Sequence, residues 1–328
     1  KKILAVEKSN AIMPECIFCG KGITVSVLKN IQIHGNLYNV SECVECEIGM
    51  THPFPSDNEL AKLYSSGNYR TSTGKRFGII IEFLIYLGRL KKRGTINKFI
   101  NPGKILDIGC GRGLFLDVMR RGGWSVIGTE LNDETASYAI KTYNITIFSS
   151  DIIQHKLPAR SLDAININQV LEHLKNPGKV IEESGRLLRR GGVLIISVPD
   201  LRSPQFTIGK ENWFLLDLPF HLFHFTEEGL CKLLEKNKFK IKYVKRFSLE
   251  ISPFGWLQTL LNISGIRFNL LYDLLKCSNL RTEPINLRGV ITTLFLLPIY
   301  FPLSIILSVL EPLIWKRGGS IEIYAEKN

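Results

Sequence analysis

Three groups of residues in this chain have the types and spacing that chemistry needs. Cys16-Ile-Phe-Cys19 and Cys43-Val-Glu-Cys46 are two Cys-x-x-Cys turns, the arrangement that brings four thiolates to one tetrahedral zinc ion. Four protein sulfurs leave no position open for a substrate, so the zinc is expected to be structural, stapling a segment too small to own a core. The second group is Asp107-Ile-Gly109-Cys110-Gly111-Arg-Gly113, an acid followed by glycine at every second position. Glycines there let the backbone take positive φ and approach a ligand closely, and the helix that follows offers unpaired N–H groups. The third group is a set of imidazoles and a carboxylate, Glu172-His173 and the pair His221 and His224. Histidine titrates near neutrality and can take a proton from a hydroxyl.

Spacing and charge narrow what lies across the glycine turn. A dinucleotide site asks for G-x-G-x-x-G, but Leu114 stands where the third glycine belongs. Asp107 would repel a pyrophosphate and suits a cationic ligand, such as the ammonium and sulfonium groups of S-adenosylmethionine (SAM). Trp124 to Glu130 reads as a second strand ending in a carboxylate, placed where α/β nucleotide folds hydrogen-bond a ribose diol.

On these residues the stretch resembles the first motif of class I SAM-dependent methyltransferases. The pair Glu172-His173, the run from Arg190 through Gly191-Gly192 to Pro199, and the proline-rich link from Gly49 to Tyr64 are similar to the same family. The link resembles the one joining a zinc ribbon to the catalytic domain in bacterial sugar and surface-polysaccharide methyltransferases. The resemblance covers roughly Cys16 to Lys245 and the last strand. It implies a Rossmann-like α/β fold with a seven-stranded sheet. It also implies cofactor contacts from Asp107, Gly109, Cys110, Gly111, Gly113, Glu130 and Leu131, with Asp151 and Ile152 at the adenine and Gln169 at the methyl end. Tyr69, with Tyr64, would close over the pocket. His221 or His224 is expected as general base, with Glu172 and His173 lining the acceptor side.

The elements that must position these groups follow from pattern. Ile105, Leu106 and Ile108 make a strand before the turn, and Leu114 to Arg121 a helix after it, the start of a βαβ unit. A helix is expected over Asp133–Tyr143, strands over Ile145–Phe148 and Leu162–Asn168, a helix over Val180–Arg190, and a strand over Val193–Val198. Ligands sit outside the carboxyl ends of such strands, which brings Gln169, Glu172 and His173 toward the reacting methyl. A long loop is expected from Leu201 to Leu218. Phe239–Phe247 and Ser320–Glu326 alternate as the last two strands. Four units are expected: a ribbon over 1–55, a helical connector over 56–100, a catalytic domain over 101–248 with 318–328, and an insertion over 249–317.

The insertion holds Val290–Leu310, 21 positions without a charge, near the ~20 needed to cross a bilayer. A single crossing would part the last strand from its sheet. Pro298 and Pro302 are therefore expected to divide the run into two short helices entering and leaving one membrane face. Arg281, Arg288, Lys316 and Arg317 flank it as anionic headgroups require. The net charge of +12 over 328 residues attracts anions without choosing among them. RNA binding would need a contiguous basic face with stacking aromatics, whereas here the basic residues are spread and the apolar stretch has no use for RNA. Seven cysteines, four of them in metal-type pairs, fit a reducing compartment. With no leader segment evident, the chain is expected on the cytoplasmic side, peripheral on the cytoplasmic membrane face. The expected activity is methyl transfer from SAM to a sugar or a lipid- or nucleotide-linked glycan, with a quinone or other small-molecule hydroxyl, or RNA, as alternative acceptors.

Overall fold

The computed structural model describes residues 16–20, 24–33, 35–56, 58–60, 76–276 and 286–328. In chain order come β1 (Thr24–Ile33), β2 (Asn36–Cys43), β3 (Gly49–His52), helix α1 (Ile79–Ile96), β4 (Lys104–Ile108), α2 (Leu114–Arg120), β5 (Ser125–Thr129) and α3 (Asp133–Tyr143). Then follow β6 (Thr146–Phe148), β7 (Leu162–Asn168), α4 (Pro177–Leu187), β8 (Leu188–Pro199), α5 (Pro204–Gly209), β9 (Phe223–His224), α6 (Glu227–Lys236) and β10 (Phe239–Lys245). The insertion contributes α7 (Ser252–Ile263), α8 (Leu270–Leu275) and α9 (Leu287–Leu310), and β11 (Ser320–Lys327) closes the chain of elements.

Seven strands form one Rossmann-like sheet in the order β10-β11-β8-β7-β4-β5-β6. The five from β8 to β6 are parallel, and β11 and β10 add antiparallel at one edge. Parallel strands covered on both faces should be apolar at nearly every position. In β8, Leu194, Ile196 and Val198 enter one core layer while Val193 and Ile195 enter the other. Strand order reverses at β4, flanked by β5 and β7, so the carboxyl end of β4 is where a crevice must open. Helix α3 begins and ends as expected, capped by the Asn132 side chain on Thr135 N–H and closed by Asn144 in the left-handed region. Helix α4 starts three residues earlier than its apolar pattern suggests because Pro177 occupies its first turn, and Gly191-Gly192 fall inside β8. The stretch expected as one loop from Leu201 to Leu218 contains α5, whose first turn carries Pro204 and a Ser203 cap.

A second, four-stranded antiparallel sheet has the order β1-β2-β3-β9. Its fourth strand comes from far along the chain: Gly49 pairs with His224 and Met50 with Phe223. Cys16 and Cys43 therefore share a core with Leu222, Phe223 and Phe225 and with the catalytic sheet.

The charge-free segment is not two helices. It is one continuous helix, α9, running through both prolines and extending as a π-turn to Trp315. Spaced four apart, Pro298 and Pro302 remove hydrogen bonds on one side of the helix only, and the remaining ladder carries it. Its buried residues are the small ones, Gly289, Thr293, Ser304 and Ser308. Its large ones, Leu294, Phe295, Ile299, Phe301 and Ile306 among them, face outward.

Candidate active site

A cavity of about 710 Å³ opens at the carboxyl ends of β4, β5 and β7, the size of a small-molecule pocket. Its floor is the glycine turn. Gly109 has φ +70°, and a Cβ there would stand 2.5 Å from the Val170 side chain, so no other residue fits. Glu130, 3% exposed, lines the cavity and accepts the backbone N–H groups of Gly111 (3.1 Å) and Asn132 (2.9 Å). The carboxylate thus ties the turn to the end of β5 at the edge of the cavity. Leu131, Asp151 and Ile152 form the adjoining wall, and Gly111 and Gln169 also line the space. Gln169, with φ +53°, donates from Nε2 to Ser197 Oγ and Ser320 Oγ.

Other expected cofactor residues stand back from the cavity. Asp107 lies beneath it, 4% exposed, accepting a 2.6 Å hydrogen bond from Asn166 Nδ2; burial pushes its carboxyl up to about 6 despite that bond. Cys110 packs into the layer between α2 and α3. Gly113 caps α2, where a Cβ would meet Ala139 and Ile145. Tyr64 and Tyr69 lie outside the described residues. The glycine turn, the buried acid at the end of β5 and the apolar wall around Ile152 form a donor set that fits SAM.

The side expected to face the acceptor begins at the turn Leu171–His173 after β7. His173 lines the cavity and donates from Nδ1 to the Phe220 carbonyl at 3.0 Å. Its ring lies 4.6 Å, centroid to centroid, from that of His221. Glu172 is 1% exposed, and neither of its carboxylate oxygens has a hydrogen-bond partner; desolvation pushes its carboxyl up to about 8. Burial, with His224 nearby, lowers His221 to about 3, so its imidazole is neutral at physiological pH. His224 stands apart from the cavity: its Nε2 meets Thr51 Oγ1 at 2.9 Å inside the four-stranded sheet. Thr51 also donates to the His221 carbonyl at 2.7 Å. The structure brings Glu172, His173 and His221 together and turns His224 toward the ribbon.

Cys16, Cys19, Cys43 and Cys46 converge, with all four Sγ atoms within 4.8 Å of one another. Cys19 and Cys43 Sγ are 3.7 Å apart, near the ~3.8 Å edge of a tetrahedron with Zn–S bonds of about 2.3 Å. The donor set is compatible with zinc.

Among the cavity residues that the sequence did not single out are Asn168, Asn132 and Arg76. Asn168 ends β7 beside Gln169, so the strand-end rule applied to it equally. Asn132 supplies the N–H that fixes Glu130. Arg76 lines the cavity and donates to the Tyr272 hydroxyl, joining the cavity wall to α8; a lone arginine before a helix carries no sequence signal.

Comparison with known proteins agrees with this geometry. A family model described as a methyltransferase domain matches residues 75–244, just over half of the chain, and the protein belongs to that family. It is 31% identical over 143 residues to a protein of Mycolicibacterium smegmatis named "Probable S-adenosylmethionine-dependent methyltransferase", covering 42% of this chain and 52% of the relative. It is 28% identical over 166 residues to the ubiquinone biosynthesis O-methyltransferase of Pelagibacter ubique, covering 47% of this chain and 68% of the relative. The chain thus spans about half the length of the first relative. Among solved structures, a SAM-dependent methyltransferase from Archaeoglobus fulgidus aligns with a TM-score of 0.47 and 19% identity, covering 74% of this chain and 93% of that one.

Proposed function

We propose that this protein transfers a methyl group from SAM to a hydroxyl of a sugar in a lipid- or nucleotide-linked glycan, held against the cytoplasmic face of a membrane without crossing it. The observation that carries the membrane part is α9. The helix from Leu287 to Trp315 is long and apolar enough to cross a membrane, with 11% of its most apolar window buried. A helix that hides Gly, Thr and Ser and exposes Leu, Ile and Phe is turned inside out for water and suited to lipid. Its neighbour α8 meets Arg76 through Tyr272, so the lipid-facing element borders the cavity wall. The insertion is entered from β10 and left into β11, neighbouring strands of the catalytic sheet, which favours attachment on one face.

Bound SAM would supply an electrophilic methyl group, and the protein's part is to align an acceptor with it and exclude water. Glu130 and the Gly109–Gly111 turn would hold the cofactor. Asp107 would support the turn from beneath through Asn166. His173 and His221 would face the acceptor side, a reading supported by His173 lining the cavity and by the contact of the two rings, whereas His224 is bonded to Thr51 inside the four-stranded sheet. The four cysteines would hold a structural zinc with no part in the chemistry.

The test is methyl transfer from labelled SAM into lipid-linked glycan in the presence of vesicles. Label should enter the glycan, and the protein should sediment with anionic vesicles more strongly than with neutral ones and less in salt, since each flanking Lys or Arg adds about 1 kcal/mol at such a surface. Absence of both transfer and sedimentation would remove the proposal. A second acceptor, a hydroxyl of a quinone precursor, is favoured by the relatives named ubiquinone biosynthesis O-methyltransferase; label appearing there and not in glycan would select it.

SAM binding has its own check. Glu130→Ala is expected to weaken SAM in calorimetry by about tenfold or more, because a charged hydrogen bond removed from a buried site costs about 1.5–3 kcal/mol. Unchanged affinity would take Glu130 out of the site.

A further inference from the structure

We propose that Glu172, His173 and His221 form a second metal site, for a divalent first-row cation such as Mn²⁺, Fe²⁺ or Zn²⁺, beside the acceptor end of the cavity and separate from the four cysteines. One ligand atom from each residue lies within 4.8 Å of the others. The independent observation is Glu172: it is 1% exposed, and both of its carboxylate oxygens are buried with no hydrogen bond. A carboxylate in that state is costly, and a cation would satisfy it. His221 Nε2 lies 3.9 Å from Glu172 Oε1, and the more exposed Asp217 Oδ2 lies 3.9 Å from the same nitrogen.

The imidazoles are prepared as ligands. The Nδ1–H of His173 is held on the Phe220 carbonyl, the outer-shell arrangement that fixes tautomer and ring orientation in metal sites. The two segments that carry the ligands are tied by the hydrogen bond from Leu222 N–H to the Glu172 carbonyl, 2.9 Å. Two imidazoles and a carboxylate suit divalent iron, manganese or zinc. Metal–ligand bonds of about 2.0–2.2 Å ask the side chains to draw together slightly on binding. Such a cation polarises oxygen and lowers the pKa of a hydroxyl bound to it. An acceptor that offers two adjacent oxygens, a sugar diol or its aromatic counterpart, would be selected. Its oxygen would bond to the methyl carbon as the carbon–sulfur bond breaks toward sulfur, with the hydroxyl proton passing to solvent.

The role given to the metal rests on the methyl-transfer proposal, whereas its binding does not. The experiment is Mn²⁺ titration of the full chain, purified without chelator and lacking SAM and acceptor, followed by loss of the free-ion resonance signal and paired with elemental analysis. Binding of one Mn²⁺ per chain beyond the cysteine-bound metal, or a second tightly held zinc, is the expected result. In Glu172→Gln that binding should weaken about tenfold or more, the loss typical of disturbed metal sites. His173→Gln, at the cavity wall, repeats the measurement should the buried substitution not fold. A single metal per chain with no Mn²⁺ uptake, or uptake unchanged in a folded variant, overturns the proposal, while the transfer assay above judges the methyltransferase proposal separately.

Discussion

With zinc held by the four cysteines as proposed, Cys43→Ser is expected to lose the metal and a large part of its stability. Structural zinc binds isolated finger peptides with about 10–16 kcal/mol at pH 7, and that energy is folding energy. In this chain the ribbon also leans on β9 and on the shared core holding Cys16 and Cys43, so part of the fold should survive. The melting temperature should fall steeply, and hydrogen exchange should speed up at Thr51, whose N–H donates to the Leu222 carbonyl across that junction. A Cys43→Ser protein that retains both its zinc and its melting temperature would show that the four thiols do not act together.

The second large effect is expected at Glu322 in β11. This buried carboxylate holds Lys92 at 2.9 Å and Lys245 at 3.1 Å and accepts from the Tyr324 hydroxyl at 2.6 Å. Lys92 is 3% exposed and also donates to Asn168 Oδ1 at 2.9 Å. Burial opposes the charge of Glu322, yet the two lysines and the tyrosine hydroxyl outweigh it and hold the carboxyl down to about 2. For Lys92 burial wins and its pKa is lowered. Glu322→Gln would leave the lysine buried without its counter-charge, a change that costs about 3–5 kcal/mol out of a typical 5–15. A loss below about 1 kcal/mol in urea unfolding would show that Lys92 gives up its proton instead. The sign with pH follows from the depressed value. Unfolded, the group titrates near 4.3; folded, near 2. Its stabilisation is therefore complete above the unfolded value and disappears as pH falls from there toward 2, a limb the Gln variant should lack.

Much of this architecture was legible before the structure. Strands such as Leu162–Asn168 are short apolar runs with a polar stop, and a parallel sheet leaves them few alternatives. The acid at Glu130 could be placed because it ends a strand one βα unit after the glycine turn. Less legible were contacts set by distance along the chain. Two residues, Phe223 and His224, are too few to show a strand period, so their pairing with β3 had no local signal, and with it went the orientation of His224. Asp107 was expected to contact the cofactor, but it lies buried beneath the cavity on Asn166; nothing in its spacing separates lining a cavity from supporting its floor. The prolines in α9 signalled a break that did not come, because propensity is local and the packing of α7 and α8 along the helix is not.

The junction of β3 with β9 has a consequence for synthesis. A chain made from its amino end exposes β1 to β3 first, and Thr51 waits for His224, 173 positions later. At 5–20 residues per second that interval is roughly 9–35 s. Throughout it β3 presents an open row of amide and carbonyl groups, the feature that invites pairing with strands of other nascent chains. Crowded polysomes should therefore be where this protein is most prone to aggregate, and slowing translation between the two strands should worsen its yield more than slowing it elsewhere.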